Sequence, residues 1–251
     1  MRKGGVRRAT AALAACGFLL TALAACGDTR AEVRHRELPR PGGPSGTARP
    51  SPSPTVKPVH VPGVGDRLWQ RIPADTRQIV TVYGDGENSP DSTLVLYEKR
   101  GTTWQRSGSW PAHNGKRGWT TDHHEGDERS PVGVYTLSDA GGILDDPGTR
   151  LPYTQDEDAF ASPYYWDEAH WHDFDYVIAI DYNRLRGTRP DDPTRPLGQS
   201  KGGGIWLHLD HGDGTLGCVS VPETAMEYLL RTLNPKDKPV VVMGDKVNLR
   251  A

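Results

Sequence analysis

Cysteine is scarce in this 251-residue chain: Cys16, Cys26 and Cys218 are the full set. That excludes a disulfide-stapled scaffold, which needs dense cysteine pairs in a short chain. The single long apolar run, residues 9–25, holds 17 residues. A stable membrane span needs about 20. Beyond the first eight residues no basic run stands out, and the formal net charge is −2. Nucleic acid is therefore excluded as a partner, because its binders carry a basic patch or stripe. No internal repeat is visible, which excludes a solenoid or propeller.

The chain opens with Arg2, Lys3, Arg7 and Arg8 before the Ala/Leu-rich run. A basic stretch followed by a short apolar one predicts a secretory signal over residues 1–25. Arg7-Arg8 stands without the rest of a twin-arginine pattern. The run ends Leu23-Ala24-Ala25-Cys26-Gly27, which resembles the lipobox of bacterial lipoproteins. The resemblance implies that Cys26 carries lipid and becomes the mature N-terminus. The protein is then expected outside the cytoplasm, lipid-anchored to the cell membrane and facing the cell wall. Residues 26–65 hold eight prolines, with Gly and Ser between and almost no large apolar side chains. Such a stretch cannot offset its ordering entropy and predicts a disordered tether. Residues 66–251 suit one domain.

Within that domain short β-like runs recur: 78–83, 93–98, 102–106, 133–137, 176–180, 204–208, 217–221 and 240–243. Gly and Pro punctuate the gaps. The runs 93–98 and 102–106 predict a hairpin about Lys99-Arg100-Gly101. One helix is predicted from Pro222 or Glu223 to Leu233, stopped by Asn234-Pro235. Ala225, Met226, Leu229, Leu230 and Leu233 give it a core-facing stripe. A shorter helix is expected near 157–161. The fold class is mainly β with one or two helices.

Signal removal discards Cys16, and Cys26 is taken by lipid. Cys218 is then an odd thiol in an exported chain, which marks it as reactive. Ten residues earlier the apolar run Ile205-Trp206-Leu207 ends in His208. A hairpin-like return through Gly212–Gly214 brings imidazole to thiol, as base to nucleophile. Gly217 lets backbone and substrate approach closely. Backbone N–H groups around Gly217 and Cys218 suit an oxyanion. His211, in a Gly/Asp loop, is the other candidate base. Loop histidines are more often solvated, which favours His208.

The segment Gly204-Ile205-Trp206-Leu207-His208, then Thr215-Leu216-Gly217-Cys218-Val219-Ser220-Val221-Pro222, resembles the catalytic motif of the YkuD-type L,D-transpeptidases. Ser109–Gly118 resembles that family's Pro-Ala and paired-Gly segment. Glu125–Tyr135 resembles its Gly-Asp-x-x-Thr-Pro-x-Gly-x-Phe segment, and Tyr165–Asp167 and Tyr176–Asn183 resemble later landmarks. The resemblance implies a YkuD-like β-sandwich that acts on peptidoglycan stem peptides as donor and acceptor. Cys218 is implied as nucleophile and His208 as general base. D-alanine leaves a thioester, and an amine of a neighbouring stem resolves it into a cross-link. Thr215, Gly217 and Ser220 are implied to shape the oxyanion side. Leu216 stands where many members have His, and Ser220 where many have Arg. No cofactor or metal is implied.

Two other functions compete. An L,D-carboxypeptidase would use the same Cys218 with water as acceptor. A zinc-dependent hydrolase would draw on the clusters Asp167–Asp173 and His208–His211. Trp206 stands where the second cluster needs its first His. His170, Trp171 and His172 are read as a surface loop flanking the cleft, or as an aromatic wall over the substrate.

Overall fold

The run Val240-Val241-Val242-Met243 and the run Ile79-Val80 are apolar without alternation. Strands buried on both faces read this way. The computed structural model, which describes residues 59–251, accounts for both runs so. The signal, Cys26 and most of the tether lie outside the described residues.

Eleven strands are present among the described residues: β1 (Gln78–Gly84), β2 (Asp91–Arg100), β3 (Thr103–His113), β4 (Trp119–Thr120), β5 (Ser130–Pro131), β6 (Gly133–Gly142), β7 (Tyr153–Gln155), β8 (Val177–Ile180), β9 (Trp206–Leu209), β10 (Val219–Val221) and β11 (Val240–Asp245). Three α-helices join them: α1 (Asp66–Trp69), α2 (Glu223–Thr232) and α3 (Lys246–Arg250). Nine strands form one sheet in the order β11-β1-β2-β3-β10-β9-β8-β6-β7. β6 also pairs with β11, so eight strands close into a ring and β7 hangs outside it.

All eight ring strands feed one core, through residues such as Val80, Leu94, Ala112, Leu137, Ile178, Leu207, Val219 and Val241. On β1, β2 and β11 the alternate residues Ile79, Val95, Tyr97, Val240 and Val242 face a second cluster. Val61, Val64, Leu68 and Leu249 cover it. The last tether residues thus belong to the domain: Val61 and Val64 are buried, and Tyr83 Oη donates to Pro62 O at 2.6 Å.

The predicted hairpin is β2–β3, with Gly101 at φ +60° in the turn. α2 matches the predicted helix, and its stripe Ala225, Met226, Leu229 and Leu230 is fully buried. Met226, Leu229 and Leu230 each contribute about 1.5–3 kcal/mol by burial. Near 157–161 there is a single turn instead of a helix. Asp156 accepts from Ala159 N through its carboxylate and from Phe160 N through its carbonyl. Pro163 then blocks continuation, and Phe160 is buried. α1 and α3 bring the helix count to three; each is about one turn, too short for a periodic apolar signal.

Candidate active site

The sequence suggests a hairpin between His208 and Cys218; the structure has β9 and β10 side by side and parallel. Leu207 pairs with Val219, His208 with Ser220 and Leu209 with Val221. β10 takes β3 as its antiparallel neighbour on the other side. The 210–218 loop therefore returns past the exit of β3. Thr215 N donates to Asn114 O, and Lys116 N donates to Thr215 O, both at 2.8 Å. Leu207, Leu209, Val219 and Val221 face the core, so strand alternation turns His208 and Ser220 to the opposite face.

That face carries a cavity of about 760 Å³ lined by Cys218, His208, His211, Asp173, Trp206 and Phe174, among others. His208 and Cys218 are diagonal neighbours across the parallel pair. A strand spacing of about 4.8 Å and a rise of about 3.3 Å per residue put their Cα atoms roughly 8 Å apart. Among the described residues no hydrogen bond joins Cys218 Sγ to His208. Here the half-buried thiol meets backbone: Trp206 N donates to Sγ at 3.3 Å, and Sγ donates to Gly204 O at 3.4 Å.

His208 Nδ1 donates to Leu209 O at 2.7 Å. That bond fixes the tautomer, so the lone pair sits on Nε2. Burial lowers His208 to about 4, against the opposing pull of the Asp173 carboxylate. Burial also pushes the Cys218 thiol up to about 11; the Trp206 N–H works against this and Asp173 adds to it. Both groups are neutral at rest, so the site holds a thiol and a base rather than a preformed ion pair.

His211 is not a solvated loop residue. Its side chain is 5% exposed, and Nδ1 lies 3.1 Å from Asp173 Oδ2. Asp173 raises its ionisation above the usual range, and burial opposes. The Gly214 carbonyl also favours the charged ring without meeting hydrogen-bond geometry. His170 Nδ1 donates to the same Asp173 oxygen at 3.1 Å. Among the described residues, His170, Asp173 and His211 are the one His/Cys/Asp/Glu set close enough to share a metal ion. The 166–174 loop is thus cavity wall: Trp166, Asp167, His170, Asp173 and Phe174 line it.

The remaining sequence candidates divide. Thr215 braces the turn that carries Cys218, accepting from Gly217 N at 3.1 Å and donating to Cys218 O at 2.7 Å. Gly217 has φ +146°, and an added Cβ would stand 3.2 Å from Arg129 O and 3.3 Å from Ile205 Cδ1. Its missing side chain makes room for the protein's own backbone and core. Ser220 is fully buried and donates to Asp210 Oδ1 at 2.6 Å. His113 bonds the same oxygen at 2.7 Å. Ser220 therefore does not line the cavity; it ties β10 to the loop and to β3. Leu216 is exposed on the cavity wall.

Sequence reasoning singled out neither Ser130 nor Asp173. Ser130 Oγ donates to Gly217 O at 2.7 Å, lies 3.1 Å from Cys218 O, and accepts from Gly115 N at 2.9 Å. It stands at the Thr of the Thr-Pro-x-Gly pattern, which was the available signal. Asp173 sat in a cluster of acids and histidines with nothing to single it out.

No curated protein matches the chain. Among solved structures it is similar to Bd1075 of Bdellovibrio bacteriovorus, at 17% identity and a TM-score of 0.37. That match covers 66% of this chain and 47% of the other, so the chain spans about half the length of Bd1075. A family model for the L,D-transpeptidase catalytic domain, YkuD, matches residues 87–242. That range is more than half of the chain, runs from before β2 into β11 and includes the whole cavity wall. The chain belongs to the YkuD family of L,D-transpeptidase catalytic domains.

Proposed function

We propose that this protein is an extracytoplasmic acyl transferase in which Cys218 forms a thioester with a peptidoglycan stem peptide and His208 moves the protons. Family membership supports L,D-transpeptidase chemistry on peptidoglycan. One observation carries the residue assignment. His208 gives its Nδ1–H to the Leu209 carbonyl and keeps Nε2 as acceptor, in the cavity that Cys218 also lines. The cavity volume of about 760 Å³ falls in the range of sites for small ligands and suits a short peptide.

In the first half-reaction, Cys218 Sγ attacks the carbonyl that links the L-centre of the diamino acid to terminal D-alanine. His208 Nε2 takes the thiol proton as the S–C bond forms. The Gly217 N–H is committed to Thr215 Oγ1, so the Cys218 N–H is the backbone donor for the oxyanion. The C–N bond then breaks and the imidazolium returns the proton to the leaving amine. In the second half-reaction an amine of a neighbouring stem attacks the thioester. The amine's proton passes through His208 to the departing thiolate, which restores the thiol. The signal-like residues 1–25 and the lipobox-like Cys26 support export and lipid anchoring, with the tether supplying reach toward the wall.

Intact-mass spectrometry with a stem tetrapeptide tests the assignment. Loss of D-alanine and an adduct on Cys218 are expected, and Cys218→Ala is expected to give neither. Turnover by Cys218→Ala would overturn it. An added acceptor amine is expected to yield cross-linked product; tripeptide alone would make the protein a carboxypeptidase.

A further inference from the structure

The two His/Asp clusters of the sequence, 167–173 and 208–211, meet at one point. His170 Nδ1 and His211 Nδ1 each lie 3.1 Å from Asp173 Oδ2. The three atoms fall within 4.8 Å of one another. For His170 the contact is a hydrogen bond. For His211 it is not: both ring nitrogens are buried without a hydrogen-bond partner, on a side chain only 5% exposed. Nδ1 thus faces the Asp173 carboxylate without hydrogen-bond geometry, and a cation bound to Nδ1 would complete that contact. The geometry points to a site for a zinc-class divalent cation, with His170 Nδ1, Asp173 Oδ2 and His211 Nδ1 as ligands.

The donor chemistry selects the ion class. Two imidazoles and one carboxylate suit zinc and its neighbours; magnesium and calcium take mainly oxygen ligands. Tetrahedral ligands at about 2.0–2.2 Å from zinc stand roughly 3.3–3.5 Å from one another. The observed 3.1 Å separations need to open by only a few tenths of an ångström. The ligands are held independently of any ion. Leu209 N donates to Asp173 O at 3.0 Å, and Ser162 Oγ donates to His170 O at 2.6 Å. All three ligands line the Cys218 cavity, so the fourth position opens into it and takes water. The thiol is not a ligand; its partners are Trp206 N and Gly204 O. This site is separate from the acyl-transfer steps proposed for Cys218 and His208.

Cobalt(II) is the probe. Titration of the purified full chain, stripped with chelator, is expected to give one equivalent bound, with the visible bands of a four-coordinate nitrogen/oxygen site. The spectrum is expected to be unchanged in Cys218→Ala. In His170→Ala and His211→Ala the affinity is expected to fall by more than the roughly 10–100-fold that losing an outer-shell partner costs. Zinc is expected to raise the melting temperature of the native chain and not that of His170→Ala. The variant's own cooperative melt shows that it folds, because His170 is partly exposed. No stoichiometric binding by the native chain would overturn the site. So would binding that survives both histidine changes, or a sulfur-to-cobalt band that vanishes in Cys218→Ala and puts the ion on the thiol.

Discussion

Ser130→Ala removes one oxygen and is expected to weaken both the fold and the turnover. That oxygen accepts from Gly115 N at 2.9 Å, donates to Gly217 O at 2.7 Å and lies 3.1 Å from Cys218 O. Ser130 is fully buried, so water cannot replace it without repacking. Truncation leaves the Gly115 N–H unpaired, at about 1–3 kcal/mol. Gly217 O loses its donor as well, while Cys218 O keeps Thr215 Oγ1 at 2.7 Å. A total of about 2–4 kcal/mol follows on that scale. At roughly 2–4 °C per kcal/mol for a domain of this size, the melting temperature is expected to drop by about 4–16 °C. Turnover is a second, separable effect. The turn that carries Cys218 loses its strut, and a misplacement of about 1 Å costs on the order of 100-fold in rate. The loss is expected in kcat more than in KM, because the rest of the cavity wall is untouched. Ser130→Thr keeps the hydroxyl and is expected to recover most of the rate. Calorimetry and the rate of thioester formation read the two effects. A Ser130→Ala protein with native melting and native kcat would refute the reasoning. A melting drop at full kcat would break the link from strut to thiol.

The identity of the base is open to a pH profile taken in chelator. His208 must be unprotonated to accept the thiol proton, and burial holds it at about 4. The acid limb of kcat/KM is therefore expected near pH 4, with about 97% of the rate retained at pH 5.5. His211 is raised above the ordinary histidine range by Asp173, and burial opposes; with His211 as base the rate would already be falling well above pH 5.5, which would reverse the assignment. Lys116 lines the cavity and is exposed beside the turn that carries Cys218. Stem peptides end in carboxylates, so Lys116→Ala is expected to raise KM severalfold with kcat nearly unchanged. Steady-state kinetics in which KM stays put would remove Lys116 from substrate binding.

Local rules made much of this fold legible. The α2 stripe and the Pro/Asn-Pro brackets gave the helix to within a residue at each end. Alternation and glycine punctuation gave most of the strands. Pairing was harder to read, since a short Gly-rich return between two apolar runs favours a hairpin on local grounds. Whether β10 lies parallel to β9 was decided by β3, more than a hundred residues upstream in the chain. The cavity shows the same limit. Cys218 and His208 stood out by residue type and by exclusion of the other thiols. Asp173 and Ser130 act through partners far away in sequence. Gly217 was read as a residue that lets backbone and substrate approach; the structure places backbone and core there, with Arg129 O and Ile205 Cδ1 3.2 and 3.3 Å from where a Cβ would stand.

The ring that β6 and β11 close also dictates an order of assembly. Ile79 in β1 pairs with Val240 in β11, and Tyr135 in β6 pairs with Val241. Until the last strand arrives, β1 and β6 each present an open, apolar edge with no neighbour. A chain interrupted before residue 240 keeps both edges and cannot shield either, so it offers two templates for pairing with other chains. Long-range pairings of this kind close late and slowly. The pairing of β11 with both β1 and β6 therefore makes the last strand the one that removes both templates at once.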